Sequence, residues 1–559
     1  MMMMMVCCVR ASVSRLPLSQ IIVRRRYHVT LFSSPCRLSI RPFLGEQFHS
    51  RFHSRQAAAG RCCRSGRRWN ETANMLQMRR VMASATTSTL ESNHHQAIFF
   101  SDAGIDRAAE LRADTKRLSG IFNSPEALVV PLLGDKSLIK AGKPVLISVL
   151  DLPAKEDGDQ PTVMDAIFLG LSNFNQSPIF AIDVTHLRST GGERPAWEQG
   201  AEWVDLRRHG PELMASEAGL LAYARGMVEW QSRNTCCGRC GARMKPKDGG
   251  HSLHCSFETC GNSAYPRLDP AVIMLVTCGN YVLLGRQGRW NPGRYSLLAG
   301  FLEIGETFEM AVVREVREES GINVDISSVS YAACQPWPFP SSLMVGFTAE
   351  AIKNQTEPYH GISGKGNPGI SRSETLCVVD EANALPRTAA DMKELEDARW
   401  VHRDLLAWVL KENPLPDGVA FSVPGKYAIA HVLMDRWTAT KDDNSWEGNK
   451  VLTVQIDQGK FKYVLMSIRD NHHHEKLIVR GNSRFGFHLE ILDAAHKEVY
   501  DLGLQVSQLG GGWIEHDAAK HKLHVFGASQ AYGSADHIVT CALLRQWYPF
   551  HNITFSWAE

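Results

Sequence analysis

The apolar positions of the chain change their spacing between the two parts of residues 97–230. Short apolar runs at 127–133, 145–152 and 179–184 alternate with turn-forming residues, which is typical of strands. From 211 to 230 the apolar positions follow helical spacing instead, interrupted by Glu217. They are Leu213, Leu220, Leu221, Ala224, Met227 and Val228. The pattern predicts an α/β domain over 97–230.

The remaining sequence divides into further segments. Residues 266–437 combine β-rich runs with one clear helix, and a second β-rich region extends over 451–559. Residues from about 355 to 391 are rich in Gly, Pro, Ser, Thr and Asn, which predicts a mobile insertion. Residues 438–450 predict a linker. We therefore expect a multidomain α/β (α+β) protein.

Length and composition agree with several folded domains. The chain has 559 residues, of which 44% are hydrophobic and 21% charged, so collagen-like, coiled-coil and wholly disordered classes are excluded. No apolar run reaches the roughly 18 to 20 residues of a bilayer-spanning helix. We expect no membrane association.

Positive charge is concentrated at the start of the chain. Residues 1–82 hold 15 arginines, no lysine and two acids, a balance of +13, which leaves −11 for the rest of a chain of net charge +2. This composition predicts a disordered transit leader to the mitochondrion or plastid. Two alternatives are a basic tail that binds nucleic acid and a translation start at Met75, Met78 or Met82. The latter would place the protein in the cytosol or peroxisome.

The cysteines predict a metal site. Five of the 14 lie between Cys236 and Cys260, and the others form no regular disulfide framework, which implies a reducing interior. Within residues 231–265 two spaced pairs each end in a glycine that permits a tight turn. They are Cys237 with Cys240 and Cys255 with Cys260. Four thiolates suit one Zn²⁺ in a closed site, so we predict a zinc ribbon with a folding role.

Three acids share one face of the helix predicted in 266–437. Glu315, Glu318 and Glu319 stand at i, i+3 and i+4, so their carboxylates repel unless a cation lies between them. Mg²⁺ and Mn²⁺ prefer such oxygen ligands and bridge to substrate phosphates. A solvated helix face is the alternative for the triplet taken alone.

The spacing around these acids decides between the two interpretations. The pattern Gly-x5-Glu-x7-Arg-Glu-Val-x-Glu-Glu-x-Gly-Ile is complete, and this region resembles the Nudix hydrolases, which cleave a nucleoside diphosphate linked to another moiety. The resemblance implies an α/β/α sandwich in which Glu315, Glu318 and Glu319 are catalytic and hold Mg²⁺ or Mn²⁺. It assigns structural roles to the rest of the pattern, namely Gly300, Glu306, Arg314 and Gly321.

A rigid Pro-aromatic segment follows the helix. Its sequence is Cys334-Gln-Pro-Trp-Pro-Phe-Pro-Ser-Ser342. Together with the cysteine pairs, this segment resembles the NADH pyrophosphatase branch of the Nudix family, which has Ser where this chain has Cys334. The resemblance covers roughly 97–437 and implies that NADH, and also NAD⁺, is cleaved to a mononucleotide plus AMP. It also implies a homodimer. Residues expected to contact the dinucleotide are Gln335, Pro336, Trp337, Pro338, Phe339, Pro340, Ser341 and Ser342.

The same match supplies more distant site residues. Tyr265 and Phe301 would flank a base, and stacking suits their aromatic faces. Ala428 would line the site. Glu394 would be a further metal ligand, although an alignment slip to Glu396 stays open because the insertion precedes both.

The segment 451–559 carries a second set of motifs. Phe461-Lys-Tyr-Val-Leu, Ile-Val-Arg480-Gly, a helix opening at His488, Leu-Gly-Gly-Gly and His-Val-x-Gly-x-Ser-x-Ala-Tyr-Gly occur in the order of the Janus-like phosphohistidine phosphatases, which the segment resembles. The resemblance implies metal-free dephosphorylation of protein phosphohistidine with His488 as general base or transient acceptor. Phosphate would be held by Lys462, Arg480, Ser529 and Ala531.

One departure bears on this second activity. Trp513 stands where that family has an Arg, and a guanidinium binds phosphate strongly. The domain is therefore expected to be slow or to bind without turnover.

The sequence leaves three functions open. The first is hydrolysis of NADH and NAD⁺ with an appended phosphatase-like domain. A second is a Nudix hydrolase of ADP-ribose, another dinucleotide or NAD-capped RNA, and a third is a carboxy-terminal module that binds phosphoproteins. Nothing in the residues indicates communication between the two sites, so we treat them as independent.

Overall fold

The computed structural model describes residues 98–155, 158–185, 187, 195–353, 385–390, 393–415, 419–439 and 446–557. The predicted leader (1–82) and nearly all of the predicted insertion (355–391) lie outside these ranges. In the predicted linker (438–450), residues 440–445 do as well. None of the helices in the described part is both long enough and apolar enough to cross a membrane.

The first folded region is an eight-stranded sheet with helices against it. Its strands are ordered β1-β6-β7-β2-β3-β4, with β5 paired to β2 and β8 to β3. The elements are β1 (Ile105–Asp106), α1 (Thr115–Phe122), β2 (Leu128–Leu133), β3 (Lys136–Lys140), β4 (Lys143–Pro144), β5 (Ile147–Ser148), β6 (Ile167–Ser172), β7 (Pro178–Asp183), β8 (Glu202–Asp205), α2 (Leu206–His209) and α3 (Ala215–Arg233).

The helix predicted at 211–230 is α3, and it begins later than the pattern suggests. Its first turn is closed by the Glu217 carboxylate, which accepts a hydrogen bond from the Met214 amide at 3.2 Å. The acid that interrupts the apolar stripe therefore caps the helix. The stripe itself is buried against the sheet, as Leu221 and Ala224 show.

A small sheet and a larger mixed sheet follow. The small sheet has the order β11-β10-β9, and the larger one has the order β15-β16-β12-β13-β17 with β14 on β12, where β12 and β16 run parallel. The elements are β9 (Met244–Lys247), β10 (Ser252–Cys255), β11 (Ser263–Ala264), β12 (Asp269–Cys278), β13 (Tyr281–Arg286), β14 (Leu298–Phe301), α4 (Phe308–Ser320), β15 (Val324–Trp337), β16 (Ser342–Ala351), β17 (Asp397–His402), α5 (Arg403–Leu410) and α6 (Ile429–Ala439).

Helix α4 is the acid-bearing helix that the sequence predicts. Thr307 caps its start by accepting from the Met310 amide, and Gly321 ends it at φ 71°, a left-handed conformation that favours glycine. Ala311, Val312 and Val316 are fully buried on the sheet, so the apolar face fixes the helix rotation and directs the acids to one edge.

The carboxy-terminal region has its own six-stranded sheet. The strand order is β18-β20-β19-β21-β22-β23, with α7 and α8 packed on it. The elements are β18 (Val454–Ile456), β19 (Gly459–Arg469), β20 (Glu475–Gly481), α7 (His488–Tyr500), β21 (Gln505–Asp517), β22 (Lys522–Phe526), α8 (His537–Trp547) and β23 (Asn552–Phe555). The helix expected to open at His488 is confirmed as α7, and the Phe461-Lys-Tyr-Val-Leu and Ile-Val-Arg480-Gly motifs lie in β19 and β20.

Gln335 joins the first sheet region to the larger mixed sheet. It is 1% exposed, and its amide nitrogen donates to the carbonyls of Phe99 at 3.2 Å and Tyr427 at 2.8 Å. Its side-chain oxygen accepts from the Ile429 amide at 2.9 Å. One buried side chain therefore satisfies three backbone groups from two regions.

We predict that Gln335→Ala lowers the free energy of unfolding by about 2 to 4 kcal/mol, because it leaves buried backbone groups without partners. Urea denaturation of the full chain measures the change. Cys334→Ala, at the exposed neighbouring position, is the control. Equal midpoints for both variants would contradict the prediction.

Candidate active site

Three carboxylates meet between α4 and the turn before β17. Glu315 and Glu319 are one helical turn apart on α4, and Glu394 approaches from that turn, so that one oxygen of each lies within 4.8 Å of the others. Glu315 and Glu319 are buried, whereas Glu394 is exposed. The carboxylate of Glu396 is instead held by Arg286 at 2.7 Å, so the structure favours Glu394 over the alternative register.

Gly300 on β14 makes room for this group. A Cβ at this position would lie 1.9 Å from the carboxyl carbon of Glu315, far inside van der Waals contact. The strand can pass beneath the acids only because it carries no side chain there. This is the structural role that the resemblance implies for Gly300.

Burial disfavours negative charge on this group, although Arg314 pairs with the Glu315 carboxylate at 2.9 Å. Burial raises the pKa of Glu319 to about 8, and the neighbouring charges of Glu315 and Glu394 add to the effect. Burial likewise raises the pKa of Glu315. One buried oxygen of Glu319 has no hydrogen-bond partner among the described residues. An oxygen-only ligand set with an unsatisfied buried atom fits a hard divalent cation such as Mg²⁺ or Mn²⁺.

Arg314 organises the loop that precedes the helix. Its guanidinium binds both oxygens of Glu306, at 2.6 and 2.9 Å, and donates to the Phe301 carbonyl at 2.9 Å. The hydrogen bond from Arg314 is the main reason why the pKa of Glu306 falls to about 2. Arg314 and Glu306, to which the resemblance assigns structural roles, are therefore paired with the bidentate geometry that adds specificity.

Glu318 differs from the expectation. Its carboxylate is 53% exposed and accepts from Arg314 at 3.1 Å, and it does not belong to the close group of Glu315, Glu319 and Glu394. The spacing predicts that Glu318 lies on the same helix face as Glu315 and Glu319. Its ion pair with Arg314, one turn earlier, instead holds its carboxylate away from the group. Its expected role as a metal ligand requires this ion pair to open.

The four predicted zinc cysteines lie together, and their sulfurs fall within 4.8 Å of one another. Cys237 is 3.8 Å from Cys260, and Cys240 is 3.4 Å from Cys255. The Arg239 amide donates to the Cys237 sulfur and is the main reason why the pKa of that thiol falls to about 6. Thiolates at these separations fit one tetrahedral Zn²⁺. Cys236, the neighbouring thiol, is exposed and lies outside the group.

The Pro-aromatic segment packs against the first region. The rings of Trp337 and Phe339 lie 5.3 Å apart, and Phe100 of the first region packs edge-on against both, at 5.8 and 5.5 Å. Gln335 and Ser342 are also buried, whereas Trp337 is half-buried. The dinucleotide contacts expected of this segment stay a prediction.

Arg225 on α3 holds the same segment and was missed by the sequence analysis. Its guanidinium donates to the Pro338 carbonyl, donates to the Asp135 carbonyl at 3.0 Å and lies 5.0 Å from the centre of the Phe339 ring. It is 8% exposed. A cation interrupting the apolar face of a predicted helix was the available signal.

Other expected substrate residues are more accessible. Tyr265 and Phe301 are 67% and 46% exposed, so their faces are available for stacking. Ser341 donates to the Asp269 carboxylate at 2.7 Å, and Pro340 is exposed next to it. Pro336 and Ala428 are half-buried, and Ala428 directly precedes α6.

In the carboxy-terminal region, His488 opens α7 beside the glycines of β21. Its Nε2 lies 3.1 Å from the Gly512 carbonyl, which can only accept, so Nε2 carries the hydrogen. Burial lowers the pKa of His488. The imidazole is therefore neutral at pH 7, with its lone pair on Nδ1. That form can accept a proton or a phosphoryl group.

Gly511 brings His488 and Ser529 together. A Cβ at position 511 would lie 2.9 Å from the His488 ring and 3.2 Å from the Ser529 Cβ, so the two side chains flank this glycine. The Lys462 ammonium donates to the Gly486 carbonyl and lowers the pKa of His488 as a secondary effect. Ala531 lies exposed in the turn that starts at Ser529. The structure thus groups a base, a hydroxyl and a cation.

Arg480 does not join this group, contrary to the expectation. Its guanidinium binds the Glu498 carboxylate through two bonds of 2.9 Å and donates to the carbonyls of Leu452 and Val479. It is 5% exposed. Its donors are therefore used inside the fold, where an unpaired buried charge would be costly.

Lys460 was overlooked in the sequence and lies near Trp513. The ammonium groups of Lys460 and Lys462 lie 5.7 and 5.4 Å from the centre of the Trp513 ring. The alternation of the two lysines along β19 was the signal, since residues two apart share a sheet face. The face that lacks the arginine thus carries two cations.

Three family models match separate parts of the chain. Residues 267–419 match the model of the NUDIX domain, and residues 126–230 match that of the NADH pyrophosphatase-like rudimentary NUDIX domain. Residues 448–552 match the Janus/Ocnus family (Ocnus).

Three relatives are similar to parts of the chain. The NAD-capped RNA hydrolase of Schizosaccharomyces pombe is 31% identical, and the match covers 61% of this chain and 94% of the relative. NAD-capped RNA hydrolase NudC of Stutzerimonas stutzeri is 34% identical over 49% of this chain and 78% of the relative. NAD-capped RNA hydrolase NUDT12 of Homo sapiens is 40% identical over 40% of this chain, which spans only 43% of that relative.

For the cysteine group we predict one zinc per chain and its loss in Cys240→Ser, because a tetrahedral site with three thiolates binds Zn²⁺ much more weakly. Elemental analysis of the purified full chain measures the metal. Cys236→Ser is the matched control and should keep its zinc. Equal zinc content in both variants would argue against the four-cysteine site.

Proposed function

Since the chain belongs to the NADH pyrophosphatase branch of the Nudix hydrolases and carries a Janus-like domain, we propose that it hydrolyses the diphosphate of NADH and NAD⁺. The products are AMP and the reduced or oxidised nicotinamide mononucleotide. The observation that carries the proposal is the group of Glu315, Glu319 and Glu394, whose oxygens lie within 4.8 Å of one another over Gly300.

The chemistry follows from these residues. A divalent cation bound there supplies a Lewis acid for a phosphoryl oxygen of the anionic diphosphate. Glu315 and Glu319 are held rigidly by α4, so they require little reorganisation when the substrate arrives. Water adds to phosphorus, and the bond to the bridging oxygen breaks so that the two mononucleotides separate.

The exposed rings of Tyr265 and Phe301 support a nucleotide substrate. Each offers a flat face to solvent, and stacking a base between aromatic faces is favourable without fixing its identity. Trp337 and Phe339 both pack against Phe100 while Trp337 stays half-buried, so recognition of the dinucleotide by this segment remains a prediction.

A second candidate substrate is NAD-capped RNA. All three relatives described above are named as hydrolases of that substrate. The bond cleaved is the same diphosphate, so the same carboxylates would serve. ADP-ribose and other dinucleotides are the remaining alternatives.

For the carboxy-terminal domain we propose dephosphorylation of protein phosphohistidine, with binding alone as the alternative. The support is the neutral His488 beside Ser529 and Lys462. Nδ1 of His488 accepts the proton of an attacking water or the phosphoryl group itself. Lys460 and Lys462 supply positive charge next to Trp513.

Two further expectations stay proposals. Residues 1–82 direct the chain to the mitochondrion or plastid, unless translation starts at Met75, Met78 or Met82. The hydrolase acts as a homodimer, which sedimentation of the full chain would establish.

We predict that Glu319→Gln lowers kcat for Mn²⁺-dependent NADH hydrolysis by more than about 100-fold, since even residues that only orient metal ligands contribute 10- to 100-fold. Chromatography of AMP and the reduced mononucleotide measures the rate. Glu309→Gln, on the first turn of the same helix, is the control. Full turnover by Glu319→Gln would refute the site.

The substrate is decided by comparing NADH, NAD⁺, ADP-ribose and NAD-capped RNA with the same enzyme. We expect AMP release to be fastest from NADH. Faster release of nicotinamide mononucleotide from capped RNA would keep the catalytic group and replace the substrate.

We predict that the full chain releases phosphate from a phosphohistidine protein and that His488→Ala abolishes this release without changing NADH hydrolysis. A colorimetric phosphate assay and the NADH assay run in parallel measure both. Glu319→Gln serves as the reciprocal control. If the protein binds but does not dephosphorylate the substrate, the domain is a binding module.

A further inference from the structure

The two catalytic regions share one apolar core. Residues of the Nudix domain such as Leu405 and Phe421 belong to the same buried cluster as Trp547 and Ile553 of the carboxy-terminal domain. Trp408 and Trp547 meet edge-on with ring centres 5.9 Å apart. Such a continuous core differs from the expectation of independent sites, because linked but separate domains keep separate cores.

At the edge of this core, Phe550 follows α8 and lies on the Nudix domain. Its ring stacks on Tyr295 with centres 5.1 Å apart and planes 27° from parallel, and it also contacts Phe421 at 5.8 Å. The Arg399 guanidinium lies 5.4 Å from the ring centre and donates to the Pro549 carbonyl at 2.9 Å. Pro549 and Phe550 therefore contact three Nudix side chains, Tyr295, Phe421 and Arg399.

Two of these side chains, Tyr295 and Arg399, bind the same carboxylate. The Tyr295 hydroxyl donates to Asp397 at 2.5 Å, and Nε of Arg399 donates to the same oxygen at 2.5 Å. Tyr295 is 4% exposed, and burial together with Asp397 raises its pKa, so it remains a hydroxyl donor. Tyr295, Arg399 and Asp397 thus form a hydrogen-bonded triad, which the carboxy-terminal domain covers.

Short segments of the chain connect this triad to both sides of the carboxylate group. Tyr295 is five residues before Gly300, whose Cα faces the Glu315 carboxylate. Asp397 is three residues after Glu394 and begins β17. A change in the Tyr295–Asp397 hydrogen bond can therefore be transmitted along these two segments to Gly300 and to Glu394.

We propose that Phe550 of the carboxy-terminal domain is a positioning residue for the Nudix metal site, acting through Tyr295 and Asp397 on Glu394. The appended domain is thereby a structural part of the hydrolase. The inference rests on the proposed function for its catalytic consequence, but its metal-binding consequence can be measured without turnover.

The test compares wild-type full chain with Phe550→Ala and Tyr295→Phe by calorimetric titration with Mn²⁺. The relevant binding event is the one that Glu319→Gln removes. Each variant should weaken it by about 10-fold, as expected for groups that orient metal ligands. Kinetics should show a lower kcat that excess Mn²⁺ restores, with KM for NADH changed less than about twofold, because the substrate rings are not touched.

Matched controls separate positioning from general destabilisation. Phe555→Ala removes the same side chain from β23, where it packs on Trp557, and should leave Mn²⁺ affinity unchanged. Phe550→Tyr keeps the ring and should restore wild-type affinity. If Phe550→Ala does not fold, Tyr295→Phe decides, because it keeps the ring stack and removes only the hydroxyl.

Unchanged Mn²⁺ affinity in folded Phe550→Ala or in Tyr295→Phe overturns the inference. If the wild type binds Mn²⁺ but cleaves none of the proposed substrates, the proposed function fails. The difference in Mn²⁺ affinity between wild type and variants then still decides the role of Phe550.

Discussion

The concentration of negative charge at the end of α4 is the constraint that the surrounding structure answers. Glu315 and Glu319 are buried next to Glu394. Arg314 pairs with Glu315, whereas one oxygen of Glu319 has no hydrogen-bond partner among the described residues. Such a group is unfavourable by itself and becomes favourable with a cation between the oxygens. Gly300 opens the space that the Glu315 carboxylate occupies, and Arg314 binds Glu306 as well as Glu315.

The Nudix domain is held on two sides by aromatic contacts. Phe339 packs against Phe100 of the first region, and Phe550 of the last region packs on Tyr295. In each contact an arginine also lies over the phenylalanine ring. Arg225 lies over Phe339, and Arg399 lies over Phe550. Cation-π contacts and ring burial tolerate little displacement. The flanking domains thus restrict the movement of the strands next to the turn that carries Glu394.

The carboxy-terminal group carries positive charge beside an indole ring. The ammonium groups of Lys460 and Lys462 lie 5.7 and 5.4 Å from the centre of the Trp513 ring. His488 is neutral because it is buried against a carbonyl, and a neutral imidazole can accept a proton.

Local spacing in the sequence determined the fold classes, the acid face of α4, the cysteine group and the opening of α7 at His488. These depend on helix and turn geometry within a few residues, which spacing specifies. Tertiary structure alone distinguished Glu394 from Glu396, paired Arg480 with Glu498 and packed Trp337 and Phe339 against Phe100. The pair of Glu318 with Arg314 is local by contrast, because the two residues are four apart on α4. The tertiary outcomes depend on which distant group the fold places within hydrogen-bonding or ring-contact distance, and the periodicity of one strand or helix contains no information about that partner.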